Sequence, residues 1–178
     1  NSSSAFGSYN TASGSASSAI GRSNTATALN SISIGTQNRT LSTAYTSVNV
    51  GILNNTSGAT IDGTTGAISG TIVDNSSHAR ISSAVGIKNL ANGIKSSAFG
   101  YANTGSSQSS SAFGHLNSIT SAINSLTVGD SNSLFNANYS TAIGYSNAIS
   151  YSNNCTIIGY DNGVGFSSNV TAVGYSIS

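Results

Sequence analysis

The chain has 178 residues, a formal net charge of +1 and only 5% charged side chains, and it contains no proline, methionine or tryptophan. This balance gives no electrostatic footprint for nucleic acid or for an anionic membrane. No stretch approaches the roughly 18 apolar residues of a membrane-spanning helix, and no signal peptide is visible. We therefore expect no nucleic-acid partner and no direct membrane insertion by this chain.

Serine, threonine and asparagine together make up close to half of the sequence. Disordered chains usually combine such polarity with high net charge and few β-branched residues. Here the charge is close to zero, and isoleucine and valine recur at regular intervals. We interpret the chain as folded and rich in β-structure. Because it opens inside its own repeat, with Asn-Ser-Ser-Ser-Ala-Phe-Gly, we also interpret it as a piece of a longer protein.

A glycine preceded by a bulky apolar residue recurs along the whole chain at a nearly constant spacing, with one long interval between Gly51 and Gly86. Asparagine stands three positions after every one of these glycines but the last. Positions in the repeat are counted from this glycine as zero. The repeat glycines are Gly7, Gly21, Gly35, Gly51, Gly86, Gly100, Gly114, Gly129, Gly144, Gly159 and Gly174.

Small and large residues alternate before each glycine: serine at position −4, alanine at −2 and a large apolar residue at −1. Alternation of this kind predicts a strand. Glycine permits a positive φ or a close backbone approach, and asparagine tolerates the left-handed region, so Gly-x-x-Asn predicts a turn. The candidate turn residues are Gly100, Asn103, Gly114, Asn117, Gly144 and Asn147. A second, weaker strand follows, around Ile119, Leu134, Ile149 and Val164.

Two short strands and two tight turns fill one period, which is too short for the crossover helix of an ordinary parallel pair. The pattern predicts an all-β parallel solenoid of 14- to 15-residue coils, spaced by about 4.8 Å. We expect each coil to enclose its large residue and to leave the serine and alanine positions as a smooth outer face. So thin a core predicts oligomerisation through that face.

The phrase Ser-Ala-(Ile/Val/Phe)-Gly-x-x-Asn at this spacing resembles the head repeats of trimeric autotransporter adhesins, the YadA-like head. The resemblance covers about residues 1–54 and 83–178. It implies a left-handed parallel β-roll, a homotrimer, and attachment to a host-surface or matrix protein or glycan. It also implies an extracellular location at a cell surface. A structural fibre, spike or coat protein of a virus, phage or cell surface, acting as a rigid spacer, is the alternative.

The repeat stops between Gly51 and Gly86. We expect one continuous domain of β-roll repeats in 1–54 and 83–178, with residues 55–82 as either a degenerate coil or an inserted hairpin. An insertion in a repeat protein often lies on the binding face. Its polar residues Asp62, Asp74, His78 and Arg80 are therefore candidate ligand contacts.

Residues with catalytic or metal-binding chemistry are few and scattered. Cys155 occupies the serine position, which indicates packing rather than redox chemistry. The two histidines and four aspartates give no metal-ligand cluster and no supported acid–base pair. We expect no enzymatic activity and no cofactor.

The position after the glycine carries the remaining candidates for ligand contact, because tyrosine is common at binding surfaces. These candidates are Tyr101, His115, Tyr145, Tyr160 and Tyr175. The other interpretation is that the rings only cover the turn.

Overall fold

The computed structural model of the chain describes residues 2–40, 48–52, 60–61, 68–69, 76–77 and 82–178. These ranges form strands and turns, and they hold no helix that could cross a membrane. Two long parallel sheets contain all the strands except one short pair. The predicted all-β parallel solenoid is confirmed.

In the described ranges, sheet A contains eleven strands of five residues, each ending one position after a repeat glycine. Its strands are β1 (Ser4–Ser8), β3 (Ser18–Arg22), β5 (Ile32–Thr36), β7 (Val48–Ile52), β11 (Ser83–Ile87), β13 (Ser97–Tyr101), β15 (Ser111–His115), β17 (Leu126–Asp130), β19 (Thr141–Tyr145), β21 (Thr156–Tyr160) and β23 (Thr171–Tyr175). With adjacent strands about 4.8 Å apart, the sheet extends for about 50 Å.

The part of the chain that the structure describes gives sheet B ten strands of two or three residues, on the other side of the coil. Its strands are β2 (Thr11–Ala12), β4 (Thr25–Ala26), β6 (Arg39–Thr40), β10 (Ser76–Ser77), β12 (Leu90–Ala91), β14 (Thr104–Gly105), β16 (Ser118–Thr120), β18 (Ser133–Phe135), β20 (Ala148–Ser150) and β22 (Gly163–Gly165). A regular coil therefore contributes one strand to each sheet.

The register places equivalent positions of successive coils over one another. Phe99 pairs with Phe113, and Gly100 pairs with Gly114. The same glycine-on-glycine pairing runs through every described pair of neighbouring strands in sheet A, including β7 with β11 across the long interval. The sequence repeats because each coil lies directly on the previous one.

The interior of the 14-residue coils holds small and polar side chains, which corrects one prediction. Serine at −4, alanine at −2 and asparagine at +3 are buried, as in Ser96, Ala98 and Asn103. The large residue at −1 lies on the outer face of sheet A, where Phe113 is 37% exposed and Phe6 is 76% exposed. So short a coil is too narrow for a large side chain beside the asparagine, and the two faces of the strand are opposite to those predicted.

Coil length and core volume change together. From Gly114 to Gly174, successive repeat glycines stand one position further apart than Gly86, Gly100 and Gly114 do, and each strand in sheet B is one residue longer. Position +5 then changes from a small residue, as in Ala91 and Gly105, to the fully buried Ile119 and Leu134. One added residue widens the coil, and the larger side chain fills the added space.

The long interval contains a separate two-stranded sheet. β8 (Thr60–Ile61) and β9 (Ile68–Ser69) pair antiparallel with each other and belong to neither long sheet. Ser76–Ser77 then lie in sheet B, paired parallel with β6 and with β12. The candidates Asp62, Asp74, His78 and Arg80 lie outside the described residues, and the domain boundaries stay a prediction.

The register of β10 shows which part of the long interval is surplus. Ser76 pairs with Leu90, which is position +4 after Gly86, so Ser76 takes the place that Asn55 would have after Gly51. The surplus is therefore the stretch 55–75. Without it, the spacing from Gly51 to Gly86 would equal the ordinary spacing from Gly86 to Gly100.

Deleting residues 55–75 should leave the solenoid folded, because it joins Asn54 to Ser76 and keeps both the spacing and the Gly-x-x-Asn motif. We expect a melting temperature within a few degrees of the parent's, measured by circular dichroism. This corresponds to a change in the free energy of unfolding of less than about 1 kcal/mol. Deleting 55–79 instead removes β10 and leaves the coil four positions short, and it should destabilise the fold strongly. Equal behaviour of the two deletions would contradict the register.

Candidate functional site

The repeat glycines are required by close contact between coils. Gly100, Gly114 and Gly144 have φ angles of 116°, 120° and 120° within their strands. A Cβ added to any of them would overlap the carbonyl oxygen of the glycine in the next coil. Both reasons given from the sequence, a positive φ and a close backbone approach, therefore apply at this position.

The asparagines form a buried ladder along the axis. The Nδ2 of Asn103 donates to the carbonyl oxygens of Phe99 at 2.8 Å and of Gly114 at 2.6 Å. Its Oδ1 accepts from the backbone N–H and the Nδ2 of Asn117, at 3.1 and 2.9 Å. Each amide therefore links its own coil to the next one, in the core rather than at the surface.

Gly-x-x-Asn forms a turn, as predicted, but the physical reason predicted for its asparagine is wrong. The left-handed residue is at position +2, as in Ala102 with φ 54° and Ser146 with φ 57°, and not the asparagine that follows. Asn103, Asn117 and Asn147 lie in the core, 1% exposed or less. Asparagine is present for its side-chain amide, which satisfies backbone groups that the turn would otherwise leave buried and unpaired.

The candidate contact residues at position +1 form two short aromatic stacks on the outer side of sheet A. Tyr145, Tyr160 and Tyr175 stack with centroids 5.0 Å apart and interplanar angles of 12° and 10°. Tyr101 stacks on His115 at 5.2 Å. Because neighbouring rings cover each other's faces, a ligand meets mainly ring edges and hydroxyl groups within a stack. Their part in ligand binding stays a prediction.

A histidine–aspartate contact interrupts this column between the two stacks. The Nδ1 of His115 lies 3.1 Å from Oδ2 of Asp130, and the Ser131 hydroxyl donates to Oδ1 of Asp130 at 2.6 Å. The hydrogen bonds from Ser131 and His115 hold the pKa of the Asp130 carboxyl below its usual range. Both side chains of the pair are nearly half exposed, so the pair is a surface feature of modest strength.

Cys155 replaces serine in a hydrogen-bonded column, as predicted. Its thiol lies 3.3 Å from the carbonyl oxygen of Asn153, and its N–H donates to the Ser140 hydroxyl. Ser140 in turn donates its N–H to the Ser125 hydroxyl, so the cysteine continues a serine ladder. Among the described residues, no group of three or more histidine, cysteine or acidic side chains could hold a metal ion.

The apolar column at position −1 is a prominent surface, although the sequence pattern predicted that its residues lie inside the coil. It runs along the outer face of sheet A from Phe6 to Val173, and it includes Phe99 and Phe113, whose rings stack at 5.0 Å. The signal was in the sequence, since every −1 residue is large and apolar. The narrow width of the coil determines that these residues lie outside, and the sequence pattern does not show this width.

The fold and these columns define a parallel β-solenoid with an amide ladder inside and an apolar column outside. Comparison with family models, with curated proteins and with solved structures finds no match to this chain. The interpretation of function therefore depends on the geometry.

Replacing Asn147 tests the amide ladder. Its Nδ2 lies within 3.1 Å of three acceptors, and its Oδ1 accepts two hydrogen bonds from Asn162. Asn147→Ala should destabilise the protein by about 3 kcal/mol or more, because several buried groups lose partners. Asn147→Gly should be no milder. Chemical denaturation measures both.

Asn136 supplies the matched control, since it lies at a left-handed turn position with φ 48°. Asn136→Gly should be nearly neutral and Asn136→Ala should cost about 1 kcal/mol. If glycine were milder than alanine at Asn147 as well, the ladder would not be the reason for asparagine there.

The Asp130 carboxyl offers a test by titration. Ser131→Ala should raise the pKa of Asp130 toward its ordinary value, measured by NMR of the carboxyl carbon against pH. Because the folded-state pKa is lowered, the stabilising contribution is present at neutral pH and is lost as the pH falls through that pKa. Ser146→Ala, the same change one coil further along, should leave the Asp130 titration unchanged. An unaltered titration in Ser131→Ala would contradict the assigned cause.

Proposed function

We propose that the chain is the head of a non-enzymatic, homotrimeric surface fibre that adheres to a host-surface or matrix protein or glycan. The observation that carries this proposal is the apolar column at position −1, whose side chains are exposed or half-buried along the described length of sheet A. A soluble chain rarely leaves so long an apolar strip uncovered, and such a strip marks an interaction surface.

A second copy of the chain is the partner that fits this column best. The column is periodic along the axis, so it is complementary in spacing to the same column of another copy. Phe113 and its neighbours then meet equivalent side chains at each level of the rod. Three copies around one axis, the arrangement implied by the resemblance, cover all three columns at once and leave no apolar strip open.

The surfaces away from the column then remain for a ligand. Sheet B presents mainly hydroxyl groups on its outer face, as in Thr104, Ser118 and Ser133. The aromatic stacks at position +1 lie at the first turn, beside the column. A trimer presents three copies of each surface and thereby gains avidity for a repeated ligand. This suits the proposed extracellular position at a cell surface.

A structural fibre that serves as a rigid spacer is the second candidate. The continuous amide ladder favours it, because coil after coil is bonded to the next through backbone and side chains. A spacer needs this rigidity and no ligand. Binding of the intact trimer to immobilised matrix proteins and glycoconjugates separates the two, since a spacer binds none of them.

Phe113→Asp tests the trimer. It places three carboxylates near one another in the proposed interface, so light scattering should show the mass falling from three chains to one, with a lower melting temperature. Ser133→Asp puts the same charge on the exposed face of sheet B and should leave the trimer intact. A parent protein that is a stable monomer at low micromolar concentration would refute the assembly, as would an unchanged mass for Phe113→Asp.

A further inference from the structure

Partway along the rod the coils lengthen by one residue, at the sheet B strand and the turn that follows it. We call this place the step. The coil from Gly100 to Gly114 is the last of the 14-residue coils, and the coil from Gly114 to Gly129 is the first of the 15-residue ones. An open notch of about 500 Å³ lies at this step and extends to the coil that follows it. The notch is lined by Ser106, Ser107, Gln108, Thr120, Ser121, Ala122, Ile123 and Asn138.

Backbone pairing is incomplete at this step. In the later coils the N–H of Asn136, Tyr151 and Phe166 donates to a carbonyl of the preceding coil. The equivalent N–H of Ser121 makes no such bond within the described part of the chain. The N–H of Ala122 is satisfied instead by the Ser107 hydroxyl, at 2.8 Å. The step therefore leaves a backbone donor available at the notch.

The side chains of the notch are polar and uncharged. Among the described residues, the side chains of Ser106, Gln108 and Thr120 make no hydrogen bond, and neither does the Ser121 hydroxyl. Asn138 accepts from the Ile123 N–H through Oδ1 at 2.8 Å, which leaves its amide N–H groups for another partner. With no charged residue in the lining, the notch fits a neutral ligand that is rich in hydroxyl groups.

An aromatic ring lies beside the notch. Phe135 pairs with Thr120 in the register of sheet B and is 40% exposed. It meets Tyr151 edge to face, at 81°, whereas Tyr151 and Phe166 stack at 4°. The column of stacked rings thus ends with a ring turned out of the stack. An apolar ring next to free hydroxyl and amide groups suits the two kinds of surface of a sugar.

We propose that this notch binds a neutral glycan, with Gln108, Thr120, Ser121 and Asn138 providing hydrogen bonds and Phe135 an apolar contact. The volume falls within the range of about 300–1,000 Å³ found for small-ligand sites. None of the lining residues belongs to the apolar column of sheet A, so the proposed assembly through that column leaves them uncovered. Its biological role rests on the proposed adhesive function, which it deepens by naming a ligand class.

Filling the notch gives the sharpest test. Ser121 has φ 53°, and the equivalent residues Tyr151 and Phe166 have φ 51° and 54°. A tyrosine is therefore compatible with this backbone, and Ser121→Tyr should fold like the parent. Ser176→Tyr makes the same change at another exposed left-handed serine, with φ 50°, four coils along the rod from the notch. Gln108→Ala removes one polar group, with Asn92→Ala as its control on a regular coil.

The probes are two neutral trisaccharides, cellotriose and triacetylchitotriose, added to the complete chain and followed by NMR shift changes and calorimetry. We expect at least one to bind, with affinity falling at least tenfold in Ser121→Tyr and several-fold in Gln108→Ala. Both control variants should stay within twofold of the parent. Absence of binding by the parent to either sugar, or unchanged binding by Ser121→Tyr, would overturn the proposal.

The adhesive function is measured separately, by attachment of the trimer to immobilised matrix proteins and glycoconjugates. Sugar binding without any attachment would refute the adhesive function and leave the notch as a glycan site. Attachment that Ser121→Tyr retains in full, together with absent trisaccharide binding by the parent, would refute the notch alone.

Discussion

The whole structure depends on the contact between one repeat glycine and the next. Because a Cβ at Gly114 would overlap the carbonyl of the following coil, only glycine allows the coils to approach this closely. That approach brings the glycine carbonyl within reach of the asparagine Nδ2 of the preceding coil, as with Asn103 and Gly114. The backbone ladders and the amide ladder are thus consequences of one steric constraint, and each reinforces the other through shared acceptors.

The narrow coil that results explains how the polar composition can still fold. The core needs few large apolar residues, because most of its volume is backbone, alanine, serine and paired amides. Buried amides and hydroxyls are tolerated since nearly all of them have partners, with the Thr127 hydroxyl as an exception among the described residues. The same narrowness pushes large residues outward and creates the surface that we assign to assembly.

Much of the fold follows from the sequence, since a strict period with alternating sizes permits few structures other than a parallel solenoid. The spacing of Gly100 and Gly114 predicted the strand register directly. The face of Phe113 did not follow, because alternation shows that two faces exist but not which one is inside. The role of Asn103 was missed for a related reason: its partners are backbone carbonyls, which carry no residue-specific signal. The notch at Ser121 lies where the spacing between repeat glycines increases by one residue. The sequence shows this change in spacing but not the notch that accompanies it.

The exact superposition of equivalent positions has a genetic consequence. A coil makes its principal bonds to the coils directly before and after it, through positions that are the same in each. Unequal recombination between two repeats of equal length therefore removes or adds a complete coil and keeps the glycine and asparagine contacts at the new junction. The length of such a rod can drift among descendants by whole coils, while its cross-section and its surface columns are inherited intact.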